Sequence, residues 1–321
     1  MTQPKRLEAS LFLYIKNREE FELAIITNTE KQQVLQQLIV EFGEEKIAPL
    51  VKSHHKWLQK HPEGTIAAWS KAMSLDALSF LDEQEPFWTF VAARIYLAEV
   101  YSQQAERRGT TADAVYTKFA ENVRILSKKG IYNPSIMESY SNEELEQLGN
   151  LLVAKRDSLF TYIALKTLLD RYVAKDFNKD IVELPQERWL VIAMTLMKDE
   201  KENRLEKIKE AYWAMSNLYM TVATPTLSNA GKPHGQLSSC FIDTVDDSLQ
   251  GIYDSNTDVA TLSKFGGGIG VYMGKVRSRG SSIRGFVGAS SGVLPWIKQL
   301  NNTAVSVDQL GQRQGAVAVY L

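Results

Sequence analysis

Four stretches of this 321-residue sequence carry side chains or backbone suited to chemistry, and all lie beyond residue 220. The first is Ser238-Ser239-Cys240-Phe241, which holds the sole cysteine. As a thiolate, Cys240 can attack an electrophile or give up electrons; buried in a strand, it is a small apolar group. One sulfur builds neither a disulfide nor a thiolate metal site within one copy. The second stretch runs from Lys275 to Gly285 and contains Arg277 and Arg284 among serines and glycines. A guanidinium fork beside small-residue amides suits phosphate oxygens, and the alternative is a solvated loop. The third, Lys264-Phe265-Gly266-Gly267-Gly268-Ile269-Gly270, fails both common phosphate motifs. A dinucleotide fingerprint requires strand, glycines, helix, and here the order is helix, glycines, strand. A P-loop ending at Gly274-Lys275 would need glycine where Ile269 stands and Ser or Thr where Val276 stands. A tight turn and a ligand-contacting loop both remain open. The fourth, Asp308 to Ala316, is a polar, glycine-punctuated loop offering Arg313 for recognition.

These stretches need elements to position them. Leu, Glu, Lys, Gln and Ala dominate up to about residue 220, and Gly, Ser, Val and Thr after it. The shift predicts a helical region followed by an α/β region. Ser141-Asn142-Glu143-Glu144 fits a capping box, and Pro185 fits a first helical position. Trp189, Ile192, Ala193, Leu196 and Met197 fall on one helical face. Leu205, Ile208, Tyr212, Met215, Leu218 and Tyr219 form another apolar stripe, and core packing explains both. Leu237 to Val245 reads as a strand. Asp246 or Asp247 then caps a helix whose inner face is Leu249, Ile252, Val259 and Leu262. Val271-Tyr272-Met273 reads as a short strand, Trp296 to Val305 as helix-like, and Ala316 to Leu321 as an apolar strand inviting another chain to its edge.

Composition excludes several classes. The net charge of -1 offers no broad basic face for nucleic acid. No run of apolar residues is long enough to span a membrane, and the first residues lack a signal core. The cytoplasm is the expected compartment, and no metal site is expected.

The motifs, taken in order, carry more than each alone. Ala223-Thr224-Pro225-Thr226-Leu227-Ser228-Asn229-Ala230-Gly231 is followed by Ser238-Ser239-Cys240-Phe241 and then Asp247-Ser248-Leu249. After these come the glycine turn, Arg277, Gly280, Ile283-Arg284-Gly285 and Gly311-Gln312-Arg313-Gln314-Gly315. This succession resembles the large, catalytic subunit of class I ribonucleotide reductases over about 221–321. A weaker helical likeness runs back through Phe160-Thr161-Tyr162 to Phe90-Val91-Ala92-Ala93-Arg94. The resemblance implies an α/β fold: a helical N-terminal region followed by the first part of a ten-stranded α/β barrel. The implied domains are 1–105, a degenerate ATP-cone-like region; 106–220, helical; and 221–321, the first part of the barrel. It implies that Cys240 is one cysteine of a reducing pair. Thr224, Ser239 and Gly268 would contact a ribonucleoside diphosphate substrate. Asp247, Ser248, Leu249, Arg277 and Arg284 would bind a deoxynucleoside triphosphate or ATP as allosteric effector at a dimer interface. Gln309 and Arg313 would belong to the loop relaying effector identity to the substrate. The family's radical cofactor resides on a small-subunit partner, none is expected in this chain, and thioredoxin or glutaredoxin supplies the electrons.

The sequence also departs from the family pattern. A dithiol needs two sulfurs, and the family's N-x-C-x-E radical motif is absent. The chain is therefore expected to be incomplete and inactive alone: a natural split half, a precursor fragment or a truncation, needing the C-terminal remainder of the subunit. Tyr14-Ile15-Lys16-Asn17-Arg18-Glu19 only faintly echoes the ATP-cone motif, so the overall-activity site is expected to be degenerate or lost. A non-catalytic effector-binding or interaction module from the same family is the alternative reading.

Overall fold

The computed structural model describes residues 29–307 and 315–321. Two compact units form. The first comprises the described part of Met1–Lys118 with Ala154–Thr167; the second comprises Phe119–Val153 and the described part of Leu168–Leu321. The echo at Tyr14–Glu19 and the loop residues Gln309 and Arg313 lie outside the described residues.

The first unit is helical: α1 (Thr29–Phe42), α2 (Glu44–Lys60), α3 (Ile66–Ser79) and α4 (Trp88–Arg108). Thr65 starts α3 by accepting a hydrogen bond from the Ala68 amide at 3.2 Å. Gly109, in the left-handed region at φ 61°, ends α4. Leu38, Ile47, Leu50, Trp69, Met73, Trp88 and Ile95 form the core of this unit. His54 is buried there, and its Nδ1 accepts from the Trp69 indole at 3.0 Å. Burial, reinforced by His55 and Lys31, pushes its pKa down to about 4.

Helix α8 (Tyr162–Arg171) leads the chain into the second unit, whose other helices are α5 (Phe119–Lys128), α6 (Ser135–Ser139), α7 (Asn142–Gly149), α9 (Pro185–Met197), α10 (Arg204–Ser216) and α11 (Thr224–Asn229). The capping box forms as expected: Ser141 Oγ accepts from the Glu144 amide at 3.2 Å, and Glu144 accepts from the Ser141 amide at 2.9 Å. Pro185 stands in the first turn of α9, as expected. The single apolar face expected for α9 is a different matter. Pro185 through Met194 are buried all round, while Leu196 is half exposed. A helix buried on every side belongs to the middle of its unit, not to its surface. On α10, Ile208, Tyr212 and Met215 are buried, but Leu218 and Tyr219 lie beyond the helix end and are exposed.

That central position takes polar groups in and just before α9 into the interior. Glu183 and Arg188 are both fully buried and pair at 3.3 Å. Glu183 also accepts from the Tyr132 hydroxyl at 2.6 Å and the Ala174 amide at 2.5 Å. Arg188 donates onward to the Ala230 carbonyl. Burial, then the nearby Glu183 charge, hold the Tyr132 hydroxyl protonated far above its usual range. Lys232 donates to the Tyr172 carbonyl at 3.1 Å, and burial lowers its pKa to about 8, with the Arg188 charge adding. Arg188 thus ties the chain just after α11 to α9, and Lys232 ties it to the segment that follows α8.

The α/β part is a three-stranded parallel sheet in the order β1 (Cys240–Thr244), β2 (Gly268–Tyr272), β3 (Val317–Tyr320). Helix α12 (Leu249–Lys264) links β1 to β2, and α13 (Leu294–Ser306) precedes β3. Each strand differs in extent from its expectation. The first begins at Cys240 rather than Leu237. The second begins at Gly268 rather than Val271, so that two of the cluster's glycines lie inside a strand. The third is Val317–Tyr320. The two helices cover one face, burying Val245, Ile252, Val259, Ile269, Val271, Met273 and Leu300. Along β1 every second residue, Cys240, Ile242 and Thr244, is exposed on the other face, and Ile242 is 89% exposed. This is a partial parallel sheet, not closed into a barrel among the described residues.

Candidate functional site

The candidate residues occupy two ends of the sheet. Cys240 opens β1 and is exposed. This removes the reading of Cys240 as a buried apolar group, because its side of the strand faces away from the two helices. Its Sγ lies 3.3 Å from the Ser239 hydroxyl. Register pairs Cys240 with Gly268, whose amide donates to the Ser239 carbonyl at 2.8 Å. The structure therefore brings Ser239, Cys240 and Gly268 together at the amino ends of β1 and β2.

At two glycines of this segment the space a Cβ would need is crowded by neighbours that folding brings near. A Cβ on Gly267 would stand 2.7 Å from the Phe241 ring and 3.1 Å from the Leu262 carbonyl. One on Gly270 would meet the Tyr320 ring at 3.1 Å. Thr224 opens α11 ahead of Pro225, and that short helix holds the approach to Cys240. Thr226 Oγ1 donates to the Leu237 carbonyl at 2.8 Å, and Asn229 Nδ2 to the Gln236 carbonyl at 2.9 Å.

At the carboxyl end of β1 lies the second group. Asp247 binds Arg277 through both carboxylate oxygens, at 3.0 and 2.9 Å from Nε, and accepts from the Arg277 amide at 3.2 Å. Hydrogen bonds from the guanidinium, more than its charge alone, hold the Asp247 carboxyl below the usual carboxylate range. Arg277 also donates to the Ser282 carbonyl at 3.0 Å. Lys275 pairs with Asp246 at 3.2 Å beside it. From Cys240 to Thr244 the strand takes four steps of ~3.3 Å, so the two groups lie at least roughly 13 Å apart along it.

Three expectations change here. The cap of α12 is Ser248, not Asp246 or Asp247: its hydroxyl accepts from the Gly251 amide at 3.0 Å. Both aspartates are engaged by cations instead. Leu249, expected on the inner face, is 69% exposed in the first turn of α12. Arg284 does not join the Asp247–Arg277 pair. It sits at the tip of a two-residue turn in which Ile283 and Phe286 exchange backbone hydrogen bonds at 3.1 and 2.9 Å. Arg284 and Gly285 both have left-handed φ values, 51° and 86°, the geometry of a type I′ hairpin turn. Val245, Ile252, Met273, Trp296 and Leu300 pack together between the sheet and its helices, away from the Cys240 face.

The parallel sheet, its open thiol-bearing face and the two polar ends can be compared with known proteins. Residues 158–235 match the all-alpha domain of ribonucleotide reductase, and residues 238–321 match its barrel domain. The two matches together span just over half of the sequence. The chain belongs to the ribonucleotide reductase large-subunit family. Among its relatives, the ribonucleoside-diphosphate reductase subunit alpha of Treponema pallidum is 46% identical over 246 residues, covering 76% of this chain and 29% of that protein. The subunit alpha of Helicobacter pylori is 42% identical, covering 76% and 30%. Large chain 2 of the Saccharomyces cerevisiae enzyme is 34% identical over 256 residues, covering 78% and 28%. This reductase-family chain thus spans under a third of the length of the curated relatives it matches. The junction between its two matched domains falls just ahead of Ser238-Ser239-Cys240. No helix among the described residues is long and apolar enough to cross a membrane.

Proposed function

We propose that this chain is the N-terminal part of a ribonucleoside-diphosphate reductase large subunit, working in the cytoplasm and completed by the C-terminal remainder of that subunit. The observation that carries the reading is the exposed thiol of Cys240 beside the Ser239 hydroxyl, on the face of the parallel sheet turned away from its helices. Reduction replaces a ribose hydroxyl by hydrogen, and the hydroxyl leaves as water. Two thiols supply the two electrons and two protons and close a disulfide. Cys240 is one of those thiols, and its partner comes from the remainder. Ser239 and Gly268 border the sugar, and Thr224, at the start of α11, meets a substrate phosphate.

Asp247, Ser248, Leu249, Arg277 and Arg284 form the effector site for a deoxynucleoside triphosphate or ATP, shared across a large-subunit homodimer. Gln309 and Arg313 relay effector identity to the substrate. Arg277 is held by Asp247; an incoming triphosphate competes for that guanidinium and frees the carboxylate for a sugar hydroxyl. A radical-generating small subunit starts the chemistry, and thioredoxin or glutaredoxin regenerates the dithiol.

The test mixes this chain with the C-terminal remainder and the small subunit, then measures deoxynucleotide formation with a ribonucleoside diphosphate and dithiothreitol. Product with wild type and none with Cys240→Ser supports the reading. Folded parts that yield no product support the non-catalytic effector-binding module instead. Arg277→Ala is expected to lose most of the dTTP or dATP affinity in equilibrium dialysis.

A further inference from the structure

A residue that none of the motifs above contains bridges the backbone just ahead of the thiol. Gln236 lies four positions before Cys240. Its Nε2 donates to the Ser238 carbonyl at 2.6 Å and to the Phe265 carbonyl at 3.2 Å, while its Oε1 accepts from the Ser238 amide at 2.5 Å. Phe265 ends α12 immediately before the glycines that open β2. One side chain therefore spans both backbone segments from which β1 and β2 start. Its own backbone is fixed from the other side: Asn229 of α11 holds the Gln236 carbonyl, and Thr226 holds the next one. The fit is close, since a Cβ on Gly235 would stand 2.5 Å from the Asn229 amide group.

We propose that Gln236 is a positioning residue: it locks Ser238–Cys240 onto the Phe265–Gly268 turn and so sets where the Cys240 thiol points relative to α11. The chemistry requires a primary amide. Two carbonyls need donors and one N–H needs an acceptor, and only a side chain with both functions at this length serves all three. An exposed thiol at a strand start would otherwise sample many directions, whereas electron transfer to a bound sugar needs one. The proposal rests on the reading of Cys240 as a reducing thiol, but its test does not need turnover.

The test uses this chain with Gln236→Met, which keeps length and removes all three bonds, and Gln236→Glu, which donates only when protonated. The first readout is hydrogen exchange of the Gly268 amide, whose acceptor is the Ser239 carbonyl and not Gln236 itself. The second is the mobility of a nitroxide label on Cys240, the single thiol of the chain. Gln236→Met is expected to speed Gly268 exchange about 2- to 10-fold, the population change of one net hydrogen bond, and to sharpen the nitroxide lines. Gln236→Glu at pH 7 keeps the acceptor for the Ser238 amide but loses both donations, so Gly268 protection should fall below wild type. It should recover in part, relative to wild type at the same pH, as pH falls through its carboxyl pKa, ~4.3, where one O–H can again donate. A side chain that only fills space would show no such rescue. Wild-type Gly268 exchange and label mobility in folded Gln236→Met overturn the proposal, as does Gln236→Glu without pH-dependent recovery. If Gln236→Met does not fold, Gln236→Glu alone carries the comparison across pH. An inactive reconstituted enzyme would overturn the reductase reading and leave both readouts in force.

Discussion

Arg188→Met should be among the most damaging single substitutions in the second unit. The pair it breaks is fully buried on both sides, with Arg188 Nη1 at 3.3 Å from Glu183. Removing one member of such a pair strands a charge in low dielectric, at a cost of about 3–5 kcal/mol. Glu183 retains the Tyr132 hydroxyl and the Ala174 amide, so the lower end applies, about 3 kcal/mol. The Ala230 carbonyl also loses its donor, adding about 1 kcal/mol. The total of about 4 kcal/mol corresponds to a fall in Tm of about 8–16 °C for a unit of this size. Glu183→Gln alone strands the guanidinium and should cost about as much. The double variant removes both charges of the pair and should cost only about 1–2 kcal/mol. Urea unfolding of wild type, both single variants and the double variant, followed by far-ultraviolet circular dichroism, measures the cycle. Single costs that simply add, or an Arg188→Met cost below about 1 kcal/mol, would refute the argument that charge burial is what the pair manages.

Three further outcomes follow from the same physics. His54 has a folded pKa of about 4, below its ordinary 6.5, so the unfolded chain takes up a proton first as pH falls. Stability is thus lost between pH 6.5 and 4, up to about 3 kcal/mol; His54→Gln, which keeps an acceptor for Trp69, should flatten that limb in urea titrations, and an unchanged limb would exclude the assignment. Lys232 has a folded pKa of about 8 against an ordinary 10.5, so the unfolded chain binds more protons in that window. Stability relative to Lys232→Met should rise from pH 8 towards 10.5, by up to about 3 kcal/mol, and a pH-independent difference would exclude a buried amine. Ser248→Ala removes the cap of α12 and should cost about 1 kcal/mol, whereas Asp246→Ala should leave the helix intact; the reverse order in thermal melts would return the cap to the aspartate.

What could be read in the sequence was what is decided within a few residues. The capping box at Ser141 and Glu144, Pro185 in a first helical turn and the 3.6-residue stripe through Ile208, Tyr212 and Met215 each complete their physics inside one or two turns of chain. The order of motifs from Thr224 to Arg313 likewise pointed to the reductase family without coordinates. The candidate site was legible as residue types and less so as an arrangement. Asp247 and Arg277 meet across 30 positions of sequence, and that meeting is why Ser248 rather than an aspartate is left to cap α12. Gln236 went unnoticed because its partners are backbone groups of Ser238 and Phe265, which leave no mark on residue identity.

Sequence by itself determined that the chain begins helical, turns to α/β near residue 220 and carries a single thiol with basic, glycine-rich loops after it. Tertiary structure alone decided that α9 is buried all round and that Gly268 and Gly270 lie within a strand. It also decided that Cys240 is exposed, on the strand side turned away from α12 and α13. The reason is the range of the forces: capping and helical periodicity act between neighbours in the chain, whereas burial, strand register and the steric demand for glycine are set by residues such as Phe241 and Tyr320 that only folding brings near.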